Sequence, residues 1–598
     1  MPADLNFGWR QRLSVVLACL LLASLPFLFR LPWLGALWAG TATAGIAVFQ
    51  LPLFRFLVRR CGPAFAVASF PLHVLHLIAS VLGLAGGAWA VWRHRDPWGA
   101  PVAALLLTAV LGVQWFSGAY DADFAGHHDE AGHYVTGVML ADYLQHPEWP
   151  PIPFAEQYYL RYPKVALGHW PPVLYLLQGL WYNLFDVGRT AALGLQAGLA
   201  WMLAMAIYFL ARVFAPPAAA GAAALLALIS WPIQLVATCV LADSLTALLV
   251  VAATAAWAWY MHRPDLGRSQ LFGVLAALAL LTKGSACPLV ILPPLAIVLS
   301  RRWELVRRKD FWLAAVPVLV LAVPWYLFAV RFHTPNRAAF TDGTPVLLET
   351  WLQYGWAVLG LGAAGVWMLP KANALVASLG GLWLAFLVTP AAVRAFQEER
   401  HLLPGAAAAA ILAAAGLDRL PGPPWGRAAL ALARACLPPA RFLSYTPAIF
   451  RPWAREHPLP GPTVVFGSGE SPFIAAQAEQ NPHPTHAVLR ASRVIAMSGW
   501  SGGRYRLTLY DAGSVSAKLD EWGVGLVVRT HQSKLPHDHL LTEVTRDWPS
   551  SCGNGYCMFT RPASQPVWAG PPRLAVPQPR LGKTLRGGTR NSNSHDRP

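Results

Sequence analysis

The chain has 598 residues, of which 56% are hydrophobic and only 13% charged. Soluble globular domains carry about a quarter charged residues, so this composition excludes an ordinary soluble globule and points to lipid as the solvent. The net charge of +17 does not argue for nucleic acid. The basic residues gather in short loops beside apolar runs (Arg55, Arg59, Arg60; Arg93, Arg95; Arg301, Arg302, Arg307, Arg308, Lys309), the pattern of a positive-inside membrane protein.

Residues 1–95 hold several apolar segments of uncertain topology. The first, 13–29, has no small-residue cleavage site and runs on into more apolar sequence, so it reads as membrane rather than as a removable signal. Arg59–Arg60 and Arg93–Arg95 both favour the cytoplasm, yet 63–91 between them has the length of a single span. A re-entrant or interfacial helix carrying Pro63 and Pro71 reconciles the two.

Residues 96–445 alternate apolar spans with short loops, and runs such as 102–113, 194–211, 244–258 and 312–330 are apolar nearly all round. With Arg93 and Arg95 inside, the span 98–118 delivers a long polar loop, 119–170, to the outside. The chain returns through 190–211 to Arg212 and exits by 217–235. It turns at Asp243, re-enters by 244–260, exits by 270–282 to Lys283 and returns by 285–300. Spans 312–330, 350–369, 373–391, 402–417 and a weak 427–445 complete the pattern and carry the C-terminal region outside.

The loop 119–170 contains His127-His-Asp-Glu-Ala-Gly-His-Tyr, a dense cluster of ionisable groups just beyond a span. Residues Glu130 to Leu144 have helical apolar spacing, which predicts an amphipathic helix at the membrane surface. Asp129 would stand at its N-terminus, where an anion is favoured, and would share a face with His133 four residues on. Besides a merely solvated loop, two functional readings fit. His127, His128, Asp129 and His133 form one possible ligand set for a divalent metal, or Asp129 is a base with histidine neighbours. Further on, Asp243 lies between apolar stretches in Val240-Leu-Ala-Asp-Ser-Leu, a costly place for an acid unless it is functional or paired. By the topology above Asp129, Asp243, Lys283 and the Glu399–Arg400 pair all fall at extracytoplasmic span ends, under a bilayer rich in phosphates.

Residues 446–565 read as a small soluble α/β domain, with strands at Val464-Val-Phe-Gly and 522–528 and a helix at 471–478. Its Gly467-Ser-Gly turn fits either an anion site or a sterically tight strand-to-helix turn. Cys552 and Cys557 bracket a Gly-Asn-Gly turn, and outside the cytoplasm they would form a local disulfide. Residues 566–598, rich in Pro, Arg, Asn and Ser, read as a disordered tail.

In order along 98–420, Asp129-Glu130 after a first span, His169-Trp-Pro-Pro-Val-Leu-Tyr, Asp243, Leu281-Thr-Lys-Gly and Arg400-His-Leu-Leu-Pro resemble the GT-C-fold glycosyltransferases. Within them the similarity is to the protein O-mannosyltransferase and lipid A aminoarabinose transferase group. The resemblance implies an all-α polytopic membrane protein of roughly 11–14 spans, with an interfacial helix 171–186 and the extracytoplasmic α/β domain appended. It implies an inverting transfer from a polyprenyl-phosphate-linked sugar donor to an extracytoplasmic lipid, glycan or protein acceptor. Asp129 would be the general base, Asp243 the second acid, and Lys283, Glu399 and Arg400 the groups at the phosphate. Glu130, His133, Lys164 and His169 would complete the substrate and phosphate contacts, and no cofactor is implied beyond the metal left open above.

The sequence departs from that pattern twice. Where relatives often have Glu-Lys-Pro-Pro, this chain has His169-Trp170-Pro171-Pro172, leaving Lys164, His169 or Arg161 to replace a lysine, while His169 reads equally as a surface residue. The arginine that some relatives carry after the Asp-Glu pair is replaced by Gly132-His133. The Ala, Arg, Gly and Pro bias suggests a bacterial inner membrane, with the active site facing the periplasm or exterior. A lipid-linked phosphotransferase using the same acids, and a non-enzymatic lipid or polysaccharide exporter subunit, are the competing functions.

Overall fold

The structure is a computed structural model. It describes residues 9–64, 66–67, 69–71, 73–74, 96–166, 168–333, 348–370, 372–392, 398–423, 443–497, 506–530, 538–553 and 555–562. Most of the expected segment 63–91, the loop 332–349, the weak span 427–445 and the tail 566–598 lie outside the described residues. Among those described, six helices are long and apolar enough to cross a membrane, or seven if one bent pair counts as a single span; five shorter apolar helices accompany them.

Helices α1 (Trp9–Arg30), α2 (Pro32–Phe49) and α3 (Leu51–Cys61) precede α4 (Gly99–Phe116). The polar loop holds α5 (Glu130–Gln145) and α6 (Pro151–Arg161), followed by α7 (Val173–Leu184) and α8 (Arg189–Ala211). Next come α9 (Pro217–Leu228) and α10 (Trp231–Thr238), bent by 67° at their junction, then α11 (Asp243–His262), α12 (Leu266–Leu280) and α13 (Leu292–Ser300). The membrane part closes with α14 (Val323–His333), α15 (Trp356–Met368), α16 (Ala374–Ala392) and α17 (Leu403–Asp418).

The bundle packs on small residues. Every residue of α17 from Leu403 to Leu417 is buried, eight of them alanine. Against it lies α15, close enough that a Cβ on Gly365 would stand 2.1 Å from the Leu412 carbonyl oxygen, and one on Gly362 2.8 Å from that of Ala409. In lipid, where burying apolar surface gives helices little reason to associate, such backbone approach is what holds a pair together.

The C-terminal domain begins with α18 (Phe450–Glu456) and carries a five-stranded sheet in the order β2-β1-β3-β5-β4. Strands β1 (Thr463–Phe466), β2 (Val488–Arg490) and β3 (Leu526–Thr530) pair in parallel. Strands β4 (Ser550–Gly553) and β5 (Tyr556–Thr560) form an antiparallel hairpin in which Cys552 faces Cys557 and is disulfide-bonded to it. Helix α19 (Glu470–Gln480) follows β1. A Cβ on Gly469 would come within 3 Å of Phe450 and Thr530, so steric need explains the Gly467-Ser-Gly turn.

This domain is stapled to the polar loop. Asp123 accepts the backbone N–H groups of Ile449, Phe450 and Arg451 at 2.8, 3.0 and 3.1 Å. Arg451 bonds Glu479 at 2.7 and 2.9 Å and donates to the Tyr120 carbonyl. The expected surface helix at Glu130–Leu144 is therefore corrected. Helix α5 has 13 of its 16 residues buried, enclosed between α7 and α19, because the C-terminal domain covers the face that would otherwise meet solvent.

Replacing Gly365 by Ala should force α15 off α17 at a cost of roughly 1–3 kcal/mol, read as a lower Tm of the detergent-solubilised protein. Gly360→Ala on the same helix, where an added Cβ meets nothing within 4 Å, should leave Tm unchanged.

Candidate active site

The site forms where four connections meet at one end of the bundle. The bend between α9 and α10 turns the chain so that Val240-Leu-Ala leads into Asp243 at the start of α11. Lys283 follows α12, and Glu398, Glu399 and Arg400 precede α17. Asp129 stands at the N-terminus of α5. Other basic residues lie at the opposite ends of the bundle's helices: Arg212 follows α8, Arg263 follows α11, and Arg302 follows α13 and donates to the Met261 carbonyl.

Arg400 is the centre of the site. Its guanidinium is almost wholly buried and reaches Asp129 at 2.6 Å and Asp243 at 3.2 Å, and it also bonds Glu398. Lys283 donates to the other oxygen of Asp243 at 2.7 Å. A planar, five-donor guanidinium can serve several carboxylates at fixed angles, which a lysine cannot.

His127 orders the outer edge. Its Nδ1 accepts the Asp129 backbone N–H at 3.1 Å, so its Nε2 is the protonated nitrogen and donates to Glu398 at 3.1 Å. His128 is 65% exposed, with Nε2 3.6 Å from Asp129 and 3.5 Å from Glu398. Burial pushes the Asp129 carboxyl up, but the interactions around it, the Arg400 guanidinium above all, outweigh that and hold it at about 2. Burial lowers His133 itself to about 3, so at neutral pH it is uncharged and Arg400 is the cation that acts.

The sequence expectations divide here. Asp129, Asp243, Lys283 and Arg400 are brought together. Glu399 is not the acid that meets Arg400; Glu398 is, because its side chain also caps the helical turn through His401 and is thereby turned inward. Glu130 does not reach the site. It is fully buried, pairs with Arg189 at 3.0 Å, and accepts the backbone N–H groups of Gly126 and Val240, so it ties the loop to α8 and α10. His133 is buried against Trp170, its Nδ1 bonded to the Tyr175 hydroxyl at 2.8 Å. Among the described residues it contributes no ligand atom to a converging group with His128 and Asp129. At this end of the bundle the described residues bring convergent ligand atoms together on His127, His128 and Glu398, whose donor types suit a divalent cation. Lys164 and His169 sit half-buried in the turn between α6 and α7, His169 edge-on to Trp170.

The family model of dolichyl-phosphate-mannose-protein mannosyltransferases matches residues 169–328, a stretch that includes Asp243 and Lys283. Two crystal structures of ArnT from Cupriavidus metallidurans superpose over most of the chain. The form bound to undecaprenyl phosphate is 16% identical, has a TM-score of 0.53 and covers 78% of this chain and 99% of that one. The apo form is 16% identical, with a TM-score of 0.51 over 80% of this chain and 100% of the other. The chain has the GT-C fold of membrane glycosyltransferases. An oligosaccharyltransferase of Archaeoglobus fulgidus is a more distant match, at 13% identity and a TM-score of 0.48 over 75% of this chain and 71% of that one. No curated protein matches the sequence.

Within this GT-C fold, Glu398 and the link that His127 makes between it and the Asp129 backbone were missed from sequence. The one available signal was the Glu398-x-x-His401 spacing ahead of an apolar helix, a variant of the capping pattern.

Because Arg400 compensates Asp129 and Asp243 together, Arg400→Gln and Asp129→Asn should not be additive. Each alone should lower Tm, and the double variant should lower it by less than the sum, a coupling of about 0.5–3 kcal/mol in a double-mutant cycle.

Proposed function

We propose that the protein is an integral-membrane glycosyltransferase that moves a sugar from a polyprenyl-phosphate-linked donor to an extracytoplasmic acceptor, with Asp129 as general base. The observation that carries this reading is the sharing of Arg400 by Asp129 and Asp243, with Lys283 beside them, at one end of a GT-C bundle. The basic ends of α8, α11 and α13 lie opposite, so the positive-inside bias supports a site facing away from the cytoplasm. ArnT, whose fold this chain shares, was crystallised with undecaprenyl phosphate, which supports a polyprenyl-phosphate carrier here.

In this reading the acceptor hydroxyl oxygen attacks the anomeric carbon as its proton passes to a carboxylate oxygen of Asp129. The bond from the anomeric carbon to the phosphate oxygen breaks from the opposite face, so configuration inverts. The leaving phosphate takes the electron pair, and Lys283 and Arg400 meet the charge that develops on it. While Arg400 is bonded to it, Asp129 is a weak base. A donor phosphate that competes for the guanidinium raises its basicity when the acceptor must lose its proton. Three carboxylates (Asp129, Asp243, Glu398) face two cations (Arg400, Lys283). That excess of negative charge supports a divalent cation on His128 and Glu398, joined by His127 if its Nε2 proton moves to Nδ1 and the bond from the Asp129 N–H opens; the cation would help neutralise an incoming phosphate. Lys164 and His169 are the proposed outer contacts to the donor.

Asp129→Asn should abolish transfer by about 100-fold or more while leaving expression and polyprenyl-phosphate binding intact. Lys283→Met should weaken polyprenyl-phosphate binding as well. Transfer assayed with radiolabelled lipid-linked sugar checks both; transfer unchanged in Asp129→Asn would overturn the role given to Asp129, and no transfer by the wild type would favour the exporter class.

A further inference from the structure

Five acidic side chains are buried among the described residues: Asp96, Glu130, Asp142, Asp243 and Glu470. Four of them meet an arginine or lysine: Asp96 with Arg212, Glu130 with Arg189, Asp243 with Lys283 and Arg400, and Glu470 with Arg490. Asp142 is the exception. Its carboxylate, only 3% exposed, meets imidazoles alone: His146 Nδ1 at 3.0 Å, and His483 Nδ1 at 2.9 and 3.1 Å from its two oxygens. Neutral imidazoles satisfy the hydrogen bonds of a buried carboxylate but supply no charge to offset its desolvation.

We infer that Asp142, His146 and His483 form a zinc site that clamps the catalytic helix to the C-terminal domain. Asp142 and His146 stand four residues apart at the end of α5, hence on one helix face, while His483 comes from the turn after α19. One ligand atom from each lies within 4.8 Å of the others, and the two imidazole rings are 5.1 Å apart. Two imidazole nitrogens and a carboxylate are a zinc donor set, and an N/O site favours zinc over the hard cations. Both histidines are more than half exposed, so the fourth position opens to water.

The site is separate from the chemistry. At about 1.5 Å of rise per helical residue, Asp142 lies about 20 Å along α5 from Asp129. Its place is structural, at a seam already marked by Tyr158 and Tyr162, whose hydroxyls donate to the Pro482 and Asn481 carbonyls. A bond there fixes the far end of the helix whose near end presents Asp129.

The test uses the purified full-length protein, stripped with chelator and titrated with zinc. Bound metal is read by mass spectrometry and stability as Tm. The wild-type chain should bind one zinc equivalent more than His483→Gln, and zinc should raise the Tm of the stripped wild type but not that of His483→Gln. Because His483 is on the surface, the variant should fold, and His146→Gln should behave as it does. His127→Gln, which removes the other candidate metal group, should keep the zinc-dependent rise in Tm. Equal zinc content and an equal response to zinc in wild type and both His483→Gln and His146→Gln would overturn the site, leaving Asp142 held by hydrogen bonds only.

Discussion

A guanidinium withdrawn from water has to be met by carboxylates, and here those carboxylates come from three separate parts of the chain. Arg400 draws in Asp129 from the polar loop, Asp243 from the start of α11 and Glu398 from the turn before α17. Each is at a helix end, so the requirement fixes where those helices begin relative to one another. The bend between α9 and α10, the close packing of α15 on α17 and the capped turn at Glu398 all serve that one meeting point. The same pairing depresses the basicity of Asp129, the group proposed to take the acceptor's proton.

A second buried pair performs the complementary task. Glu130 and Arg189 are wholly enclosed, and Glu130 also takes backbone N–H groups from two different loops. Breaking such a pair leaves a charge stranded in a low dielectric, which is far more costly than never having had it. The adjacent acids Asp129 and Glu130 thus divide their work: one meets Arg400 beside Asp243 and Glu398, and the other anchors the turn that presents it.

The sequence made the membrane architecture readable because lipid demands long apolar runs and punishes isolated charges. Asp243, Lys283 and Arg400 stood out for that reason, and topology alone put them on Asp129's side. The strands at 464 and 526 and the Cys552–Cys557 pair were legible from alternation and local spacing. Choosing between neighbours was beyond it. Glu398 rather than Glu399 faces Arg400, and Glu130 rather than Asp129 is walled in, because a rotation of one residue decides each case. Nor could the apolar spacing of 130–144 reveal burial on every side, since the partner that covers it, α19, is remote in sequence and its packing face carries no complementary code. The grouping of Asp142 and His146 with His483 was hidden for the same reason.

The enclosure of α5 by α19 has a consequence for biogenesis. The helix that bears Asp129 is made before most of the spans, but the surface that buries it is made only after the last of the described spans. Until then a helix with apolar residues on most of its surface stands outside the bundle with half its partners missing. A chain cut short before the C-terminal domain would carry every acid and cation of the site and still lack a seated α5. Seating of α5 therefore waits on the C-terminal domain.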